Sequence, residues 1–246
     1  MAEQPYDRLE GVIWYDGKLV PWGEATLHVL SHGLHYASSV FEGERAYGGE
    51  IFKCTEHSER LKRSAELLDF DIPYSVAEID AAKRLVLEKN GQSDAYVRPV
   101  AWRGSEMMGV SAQHNKIHLA IATWEWPSYF DPVQRLKGIR LDLADYRRPD
   151  PKTAPARAKA AGLYMICTIS KHIAERKKKR GIEVIERRIM PDELTQFSEC
   201  FITGSAAEVT AVSEIARWKF TPAAITEQLM ADYTAEVQPK GKKKAA

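Results

Sequence analysis

No stretch of this sequence approaches the roughly 20 consecutive apolar residues that a membrane-crossing helix needs, so no membrane-spanning role is expected. Met1–Leu9 is polar and lacks the apolar core of a secretory signal, which points to the cytoplasm. Cysteine is scarce. Cys54, Cys167 and Cys200 are an odd number with no metal-ligand spacing. Their apolar or small neighbours suggest buried thiols in a reducing compartment, not a disulfide framework. An excess of charge of either sign is missing too. The 35 basic and 34 acidic residues leave a formal net charge of +1, so no general field favours nucleic acid. What is present is ordinary for a globular chain: 44% hydrophobic and 28% charged residues. A length of 246 residues suffices for one large domain or two modest ones.

Strand and helix signals alternate along the chain. Val12–Tyr15, Asp16-Gly17 and Lys18–Pro21 predict a hairpin with a D-G turn. His28, His32 and His35 form an H-x-x-x-H-x-x-H pattern that could bind metal on a helix, although no carboxylate or cysteine is placed to complete the site. Residues 41–47 read as a strand, and Gly48-Gly49 turns into 50–53. Thr55 is the expected cap of a helix that carries Arg60 and Arg63. Val76–Asn90 predicts a second helix ended by Asn90-Gly91. Ala95–Arg103 and Ile117–Trp126 are strand candidates, the latter apolar enough to be buried on both faces. Pro127–Pro132 marks the expected domain boundary.

Beyond it, Gly138–Tyr146 reads as a strand and Leu163–Glu175 as a helix, followed by the basic run Arg176–Arg180. Such a run suits a solvated helix C-terminus. Ile182–Glu186 is a further strand, 190–194 a short helix start, and Cys200–Thr203 a strand leading into small residues 204–207 that could cradle an anion or simply turn. Thr221–Val237 closes as a helix before a lysine-rich tail.

The stretch Arg157–Tyr164, R-A-K-A-A-G-L-Y, holds Lys159 between small residues. Ala158, Ala160, Ala161 and Gly162 leave room for something flat to lie close to the backbone. A lysine amine becomes a useful nucleophile when desolvation or nearby positive charge lowers its pKa. Spacing alone favours a helix-start lysine whose alanine patch packs on a sheet.

Four ordered motifs narrow the choice. His32-x-x-His35-Tyr36 with Val40-Phe41-Glu42-Gly43-x-Arg45-x-Tyr47, then Tyr96-Val97-Arg98-Pro99, the lysine stretch ending Gly162-x-Tyr164, and Thr203-Gly204-Ser205-Ala206-Ala207-Glu208 together resemble the branched-chain amino acid aminotransferases. The resemblance covers nearly the whole chain. It implies an α/β (α+β) two-domain architecture of the fold type IV kind, with a small N-terminal domain over 1–128 and a larger C-terminal domain over 129–246. It also implies pyridoxal 5'-phosphate as cofactor, carried by Lys159. By the same resemblance, Arg60 is the cofactor phosphate arginine, a role that suits a forked donor. Tyr164 bonds the cofactor's ring oxygen, and Ser205 and Ala206 hold phosphate and substrate carboxylate. Tyr96 and Arg98 line the carboxylate side of the substrate, with Arg45 nearby. Tyr36, Phe41, Trp126 and Tyr129 form aromatic walls suited to leucine, isoleucine and valine. Tyr36 reaches a neighbouring subunit, so a homo-oligomer, dimer or larger, is expected. The partners are small amino acids and 2-oxo acids, with no nucleic acid and no membrane.

The sequence also departs from that family. Glu44 stands where an apolar residue is usual and is expected to set a charge beside the aromatic wall. Ser205 replaces a threonine, and Ala211 replaces a proline. Relative to the family, roughly 50 residues are absent after Glu175, near 175–181. The lost segment would include a glutamate for the cofactor's ring nitrogen and a second phosphate-binding turn. Impaired transamination is therefore one expectation. The alternatives are an inactive homologue kept as a binding or assembly subunit, a D-amino acid aminotransferase and an aminodeoxychorismate lyase.

Overall fold

The computed structural model describes residues 5–126, 138–141, 146–179, 191–205, 207–215 and 217–238, with the backbone alone for 139–141, 174–179 and 191–193. The chain forms two compact units. The first is Met1–Pro127 with Pro149–Leu163, and the second is Ser128–Arg148 with Tyr164–Ala246. The segment bearing Lys159 thus packs with the N-terminal unit, whereas a linear division at 128 assigns it to the C-terminal half.

The first unit is built on a seven-stranded antiparallel sheet. β1 (Val12–Tyr15) and β2 (Lys18–Pro21) form the expected hairpin. Asp16 and Gly17 occupy its turn at φ of +48° and +91°, as a two-residue hairpin with the right twist demands. After a short helix, α1 (His32–Tyr36), come β3 (Ser39–Phe41), β4 (Glu44–Tyr47) and β5 (Glu50–Ile51). Residues 41–47 are therefore two strands and not one. The break is at Glu42-Gly43, where a Cβ on Gly43 would lie 1.9 Å from Tyr96 Oη, so no larger residue fits the bend.

β6 (Ala95–Arg103) and β7 (Ile117–Glu125) pair along their full length, and β3 and β4 both pair with β6. One sheet face is covered by α2 (Cys54–Glu66) and α3 (Val76–Lys89). Val40, Val97 and Leu119 meet Leu61, Ile79 and Val86 there with no exposure to solvent. α3 starts with a capping box in which Ser75 and Glu78 satisfy each other's backbone amides. The expected Thr55 cap does not form: Thr55 Oγ1 donates instead to Asp80 Oδ2 at 2.6 Å, tying α2 to α3. β7 is not buried on both faces. Leu119, Ile121 and Thr123 are buried, and the residues between them are only half-buried.

In the second unit, β8 (Ile139–Leu141) runs parallel to β10 (Glu208–Ile215), which also pairs with β9 (Phe201–Gly204) and β11 (Trp218–Lys219). Leu194, Val212, Ile215 and Phe220 form its core. A 3-10 turn over Pro191–Gln196 occupies the expected short helix start. A helix over Met165–Lys179 follows the Lys159 segment and takes in the basic residues through 179. The last helix, Ala224–Val237, begins where Glu199 accepts backbone amides from Ala223, Ile225 and Thr226. The expected boundary at 127–132 and the strand at 182–186 lie outside the described residues.

Candidate active site

Lys159 is gripped by its backbone. Its N–H donates to Ser64 Oγ of α2 at 3.0 Å, and its carbonyl accepts from Phe41 N of β3 at 3.2 Å. Val40 and Ala160 form a bridge beside it. The neighbouring small residues are small because they pack closely. Ala158 and Ala160 are buried, and a Cβ on Gly162 would come within 2.8 Å of Ala37 Cβ. The side chain is half-buried, with Nζ 5.0 Å from the centre of the Phe41 ring.

Arg60 stands four residues before Ser64, so the two share one face of α2, roughly 6 Å apart. Arg60 Nε and Nη2 donate to Glu42 Oε1 and Oε2 at 2.6 and 2.7 Å, a bidentate fork. His57 Nδ1 lies 2.9 Å from the same Oε2. Glu42 is fully buried, whereas the Arg60 side chain is 48% exposed. Burial alone would push the Glu42 carboxyl up, but the hydrogen bonds from Arg60 and His57 outweigh it and hold the pKa at about 2. Arg63, on the same helix, makes an exposed pair with Glu59 at 3.8 Å.

The sheet face away from the helices carries the next group. Arg98 Nη2 donates to Tyr96 Oη at 3.1 Å, and its guanidinium lies 4.6 Å from the centre of the Phe41 ring. Arg98 Nε is buried and has no hydrogen-bond partner among the described residues. Tyr96 stacks on Trp124 at 5.0 Å and leans on Trp126 at 5.1 Å. Trp124, which the motifs do not include, lies opposite Tyr96 through the pairing of β6 with β7. Arg45 is buried over the Tyr47 ring, with Nη2 3.4 Å from Trp126 O. On the same face, Arg98, Trp102, Leu27, Leu34 and Ala122 border a mainly apolar cavity of about 340 Å³. Tyr36 is 47% exposed, stacked on His32 and donating to Met108 O at 3.1 Å.

In the second unit, Tyr164 ends the 3-10 turn Ala161–Tyr164 and is partly exposed. Ser205 occupies the turn between β9 and β10. Ala206 and Tyr129 lie outside the described residues.

Among the described residues there is no group of three His, Cys, Asp or Glu that could hold a metal ion. His32 is buried between Ser38 Oγ and Gly109 O, and His35 bonds Val29 O. Glu44 does not face the aromatic wall. Alternation along β4 turns it to the helix layer, where Oε1 lies 2.7 Å from Lys83 Nζ with both side chains fully buried. Burial pushes the Glu44 carboxyl up to about 7 against the pull of Lys83. Of the cysteines only Cys54 is buried; Cys167 is exposed. Cys54 is also a poor nucleophile, because burial pushes its thiol up to about 12.

The first unit thus offers an amine on a doubly held backbone, an aromatic face beside it and, one helical turn from the serine that holds that backbone, a guanidinium whose Nε and Nη2 are engaged by Glu42. That donor set fits a flat carbonyl cofactor bearing a phosphate.

Comparison with known proteins agrees. The sequence model of the family described as amino-transferase class IV matches in two pieces, residues 39–170 and 162–215. The branched-chain-amino-acid aminotransferase of Pseudomonas aeruginosa is 33% identical, with 84% of this chain and 85% of the relative aligned. A probable branched-chain-amino-acid aminotransferase of Rickettsia felis is 34% identical over 82% of this chain and 86% of its own. The first alignment runs over 261 positions, yet 84% of 246 residues is about 207, so about 54 positions of the relative have no counterpart here. Among solved structures, the branched-chain aminotransferase of Thermoproteus uzoniensis with norvaline superposes with a TM-score of 0.79 at 26% identity, covering 92% of this chain and 94% of that one. A T.th. branched-chain amino acid aminotransferase with pyridoxamine 5'-phosphate gives 0.81 at 29% identity, covering 94% and 95%.

Proposed function

Given that this chain belongs to the class IV aminotransferases, we propose that it transfers the amino group of leucine, isoleucine or valine to 2-oxoglutarate, using pyridoxal 5'-phosphate held at Lys159. The observation that carries this reading is the double grip on Lys159, from Ser64 and Phe41, with Arg60 one helical turn from Ser64 on α2.

When bound, the cofactor supplies the carbonyl that takes up the amino group and an electron sink for the carbon left behind. The protein's own residues do the rest. Arg60 binds the phosphate. Lys159 Nζ would hold the cofactor and, when free, would take the proton from the substrate Cα and deliver it to the cofactor carbon that keeps the amino nitrogen. The ring of Phe41 keeps that amine out of bulk water. Arg98 and Tyr96 orient the carboxylate, a role for which the buried Arg98 Nε is suited. Trp124 behind Tyr96 stiffens the wall with Trp126, and Arg45 holds the end of β7 through Trp126 O; the family resemblance alone assigns Tyr36 and Tyr129 to that wall. The apolar cavity beside Arg98 favours an aliphatic side chain over a charged one. Tyr164, Ser205 and Ala206 take the ring oxygen, phosphate and carboxylate as the family resemblance implies. The names of the relatives favour this enzyme over an inactive subunit or the other fold type IV activities.

The working form is a symmetric homo-oligomer, dimer or larger. Leu34, Tyr36 and Val110 are 63%, 47% and 85% exposed on one unit, an apolar surface suited to a second copy. No helix among the described residues is long and apolar enough to cross a membrane, and a cytoplasmic location is part of the proposal.

The test is to add pyridoxal 5'-phosphate, reduce with borohydride and map the modified lysine, alongside leucine-to-2-oxoglutarate turnover. Label at Lys159, and loss of label and turnover in a folded Lys159→Ala variant, are the expected results. Label elsewhere, or turnover retained without Lys159, would refute the assignment.

A further inference from the structure

We infer that Glu42 is a positioning residue for cofactor phosphate, acting through Arg60 and not by touching the ligand. The inference rests on the reading of Arg60 as the phosphate arginine. Three observations carry it.

The first is geometric. A guanidinium that spends Nε and one Nη on a bidentate carboxylate has its plane fixed, and the remaining nitrogen, Nη1, is directed away from that carboxylate. Glu42 therefore sets the direction in which Arg60 presents itself. The second is the asymmetry of burial. The carboxylate is fully buried and the arginine is half exposed, so the anchor is the glutamate and the presented group is the arginine. His57 Nδ1 at 2.9 Å and the backbone bond from Glu42 N to Pro99 O at 2.9 Å hold the anchor from two further sides. The third is connectivity. Phe41, whose N–H holds the Lys159 carbonyl, is the residue directly before Glu42, and Arg60 and Ser64 share one helix face. Two adjacent residues of the β3 bend thus tie the phosphate arm and the reactive lysine to the same piece of backbone. A change at Glu42 shifts the arm relative to the amine without removing either.

An unsupported arginine would still carry its charge, so Glu42 should affect how well phosphate is held rather than whether it is attracted. Glutamine at this position keeps the shape, but its amide N–H₂ would face Arg60 donors and turn the guanidinium aside.

The experiment titrates the full chain with pyridoxal 5'-phosphate and, separately, with pyridoxal, which lacks the phosphate. Binding is followed by quenching of tryptophan fluorescence. The variants are Glu42→Gln, Glu42→Asp, Arg60→Ala and the Glu42→Gln/Arg60→Ala pair, each first checked for a cooperative thermal melt. Positioning predicts that Glu42→Gln weakens the phosphorylated ligand by about ten- to a hundredfold and pyridoxal by less than about twofold. Glu42→Asp, which keeps the charge on a shorter arm, should lose phosphate selectivity in part, and this variant carries the test if the glutamine form does not fold. In the Arg60→Ala background, Glu42→Gln should add less than about twofold. Equal weakening of both ligands, or an undiminished effect without Arg60, would show that Glu42 is only structural and overturn the inference. If Arg60→Ala leaves the preference for the phosphorylated ligand intact, the reading of Arg60 itself fails and the inference falls with it. That outcome is distinguishable from one in which Arg60 matters and Glu42 does not.

Discussion

Glu42 carries a negative charge with no exposure to water, and it does so because two cationic or hydrogen-bonding neighbours make the charged form the better one. Its folded pKa of about 2 lies below the ordinary carboxylate value of 4.5. A depressed pKa contributes stability that is present above about pH 4.5 and lost as pH falls through about 2. The full shift corresponds to about 3 kcal/mol, and the exposure of Arg60 reduces this to about 2. Urea unfolding at a series of pH values is expected to show the advantage of the parent over Glu42→Gln shrinking between about pH 5 and pH 2. A constant difference across that window would mean the charge is not what stabilises the bend. At this scale the sequence treats Arg60 and Arg63 alike, as two helix arginines three apart. Only the partner separates them: Glu42 is 18 residues away and buried, while Glu59 is local and exposed.

Among the elements, α2 and α3 are joined to β4 by charge as well as by apolar packing. Lys83 Nζ lies 2.7 Å from Glu44 Oε1 and donates to Ser58 Oγ at 2.7 Å, all of it out of solvent. Removing one member of a buried pair leaves the other uncompensated, whereas replacing both with apolar groups is often nearly neutral. Lys83→Met should therefore destabilise the unit by about 3–5 kcal/mol, and Glu44→Leu/Lys83→Met should recover most of that loss. Denaturant unfolding of the two variants checks this. If the double variant is as unstable as the single, the pair is not the source of the loss. The pairing also accounts for the misplaced expectation about Glu44. Its charge is plain in the sequence, but which face it takes depends on the phase of β4 after the Glu42-Gly43 bend, where Tyr96 approaches too closely for a Cβ on Gly43.

For the whole molecule, the absent internal segment matters most. The relatives' alignment leaves about 54 positions without a counterpart. By family resemblance these would supply a carboxylate for the cofactor's ring nitrogen and a second phosphate-binding turn. The loss of one charge-assisted bond contributes about 1.5–3 kcal/mol, and looser seating of the cofactor can add about 10²-fold in rate. Leucine-to-2-oxoglutarate turnover is expected to be at least about 10²-fold slower than that of a version carrying a family-like insert after Glu175. Turnover within a few-fold of the restored chain would contradict this account. Light scattering at micromolar concentration should report a homo-oligomer; a monomer would count against the exposed apolar surface as an interface.

Local spacing by itself determined the hairpin at Asp16-Gly17, the helix over 76–89 and the strands 95–103 and 117–125, and the resemblance of four ordered motifs pointed to the family. These depend on turn chemistry, periodicity and residue identity over a few positions, which a linear reading sees directly. Tertiary structure alone decided that Lys159 packs with the N-terminal unit, that Ser64 and Phe41 hold its backbone, that Glu42 pairs with Arg60, and that His32 is buried between Ser38 and Gly109. Each of the three contacts to Lys159 and Arg60 joins residues 18 or more positions apart. Their partners are a serine hydroxyl, a backbone amide and a carboxylate, groups too common for spacing to single out. Such a partner is chosen only when the sheet register and the helix packing bring the two groups to within hydrogen-bond reach.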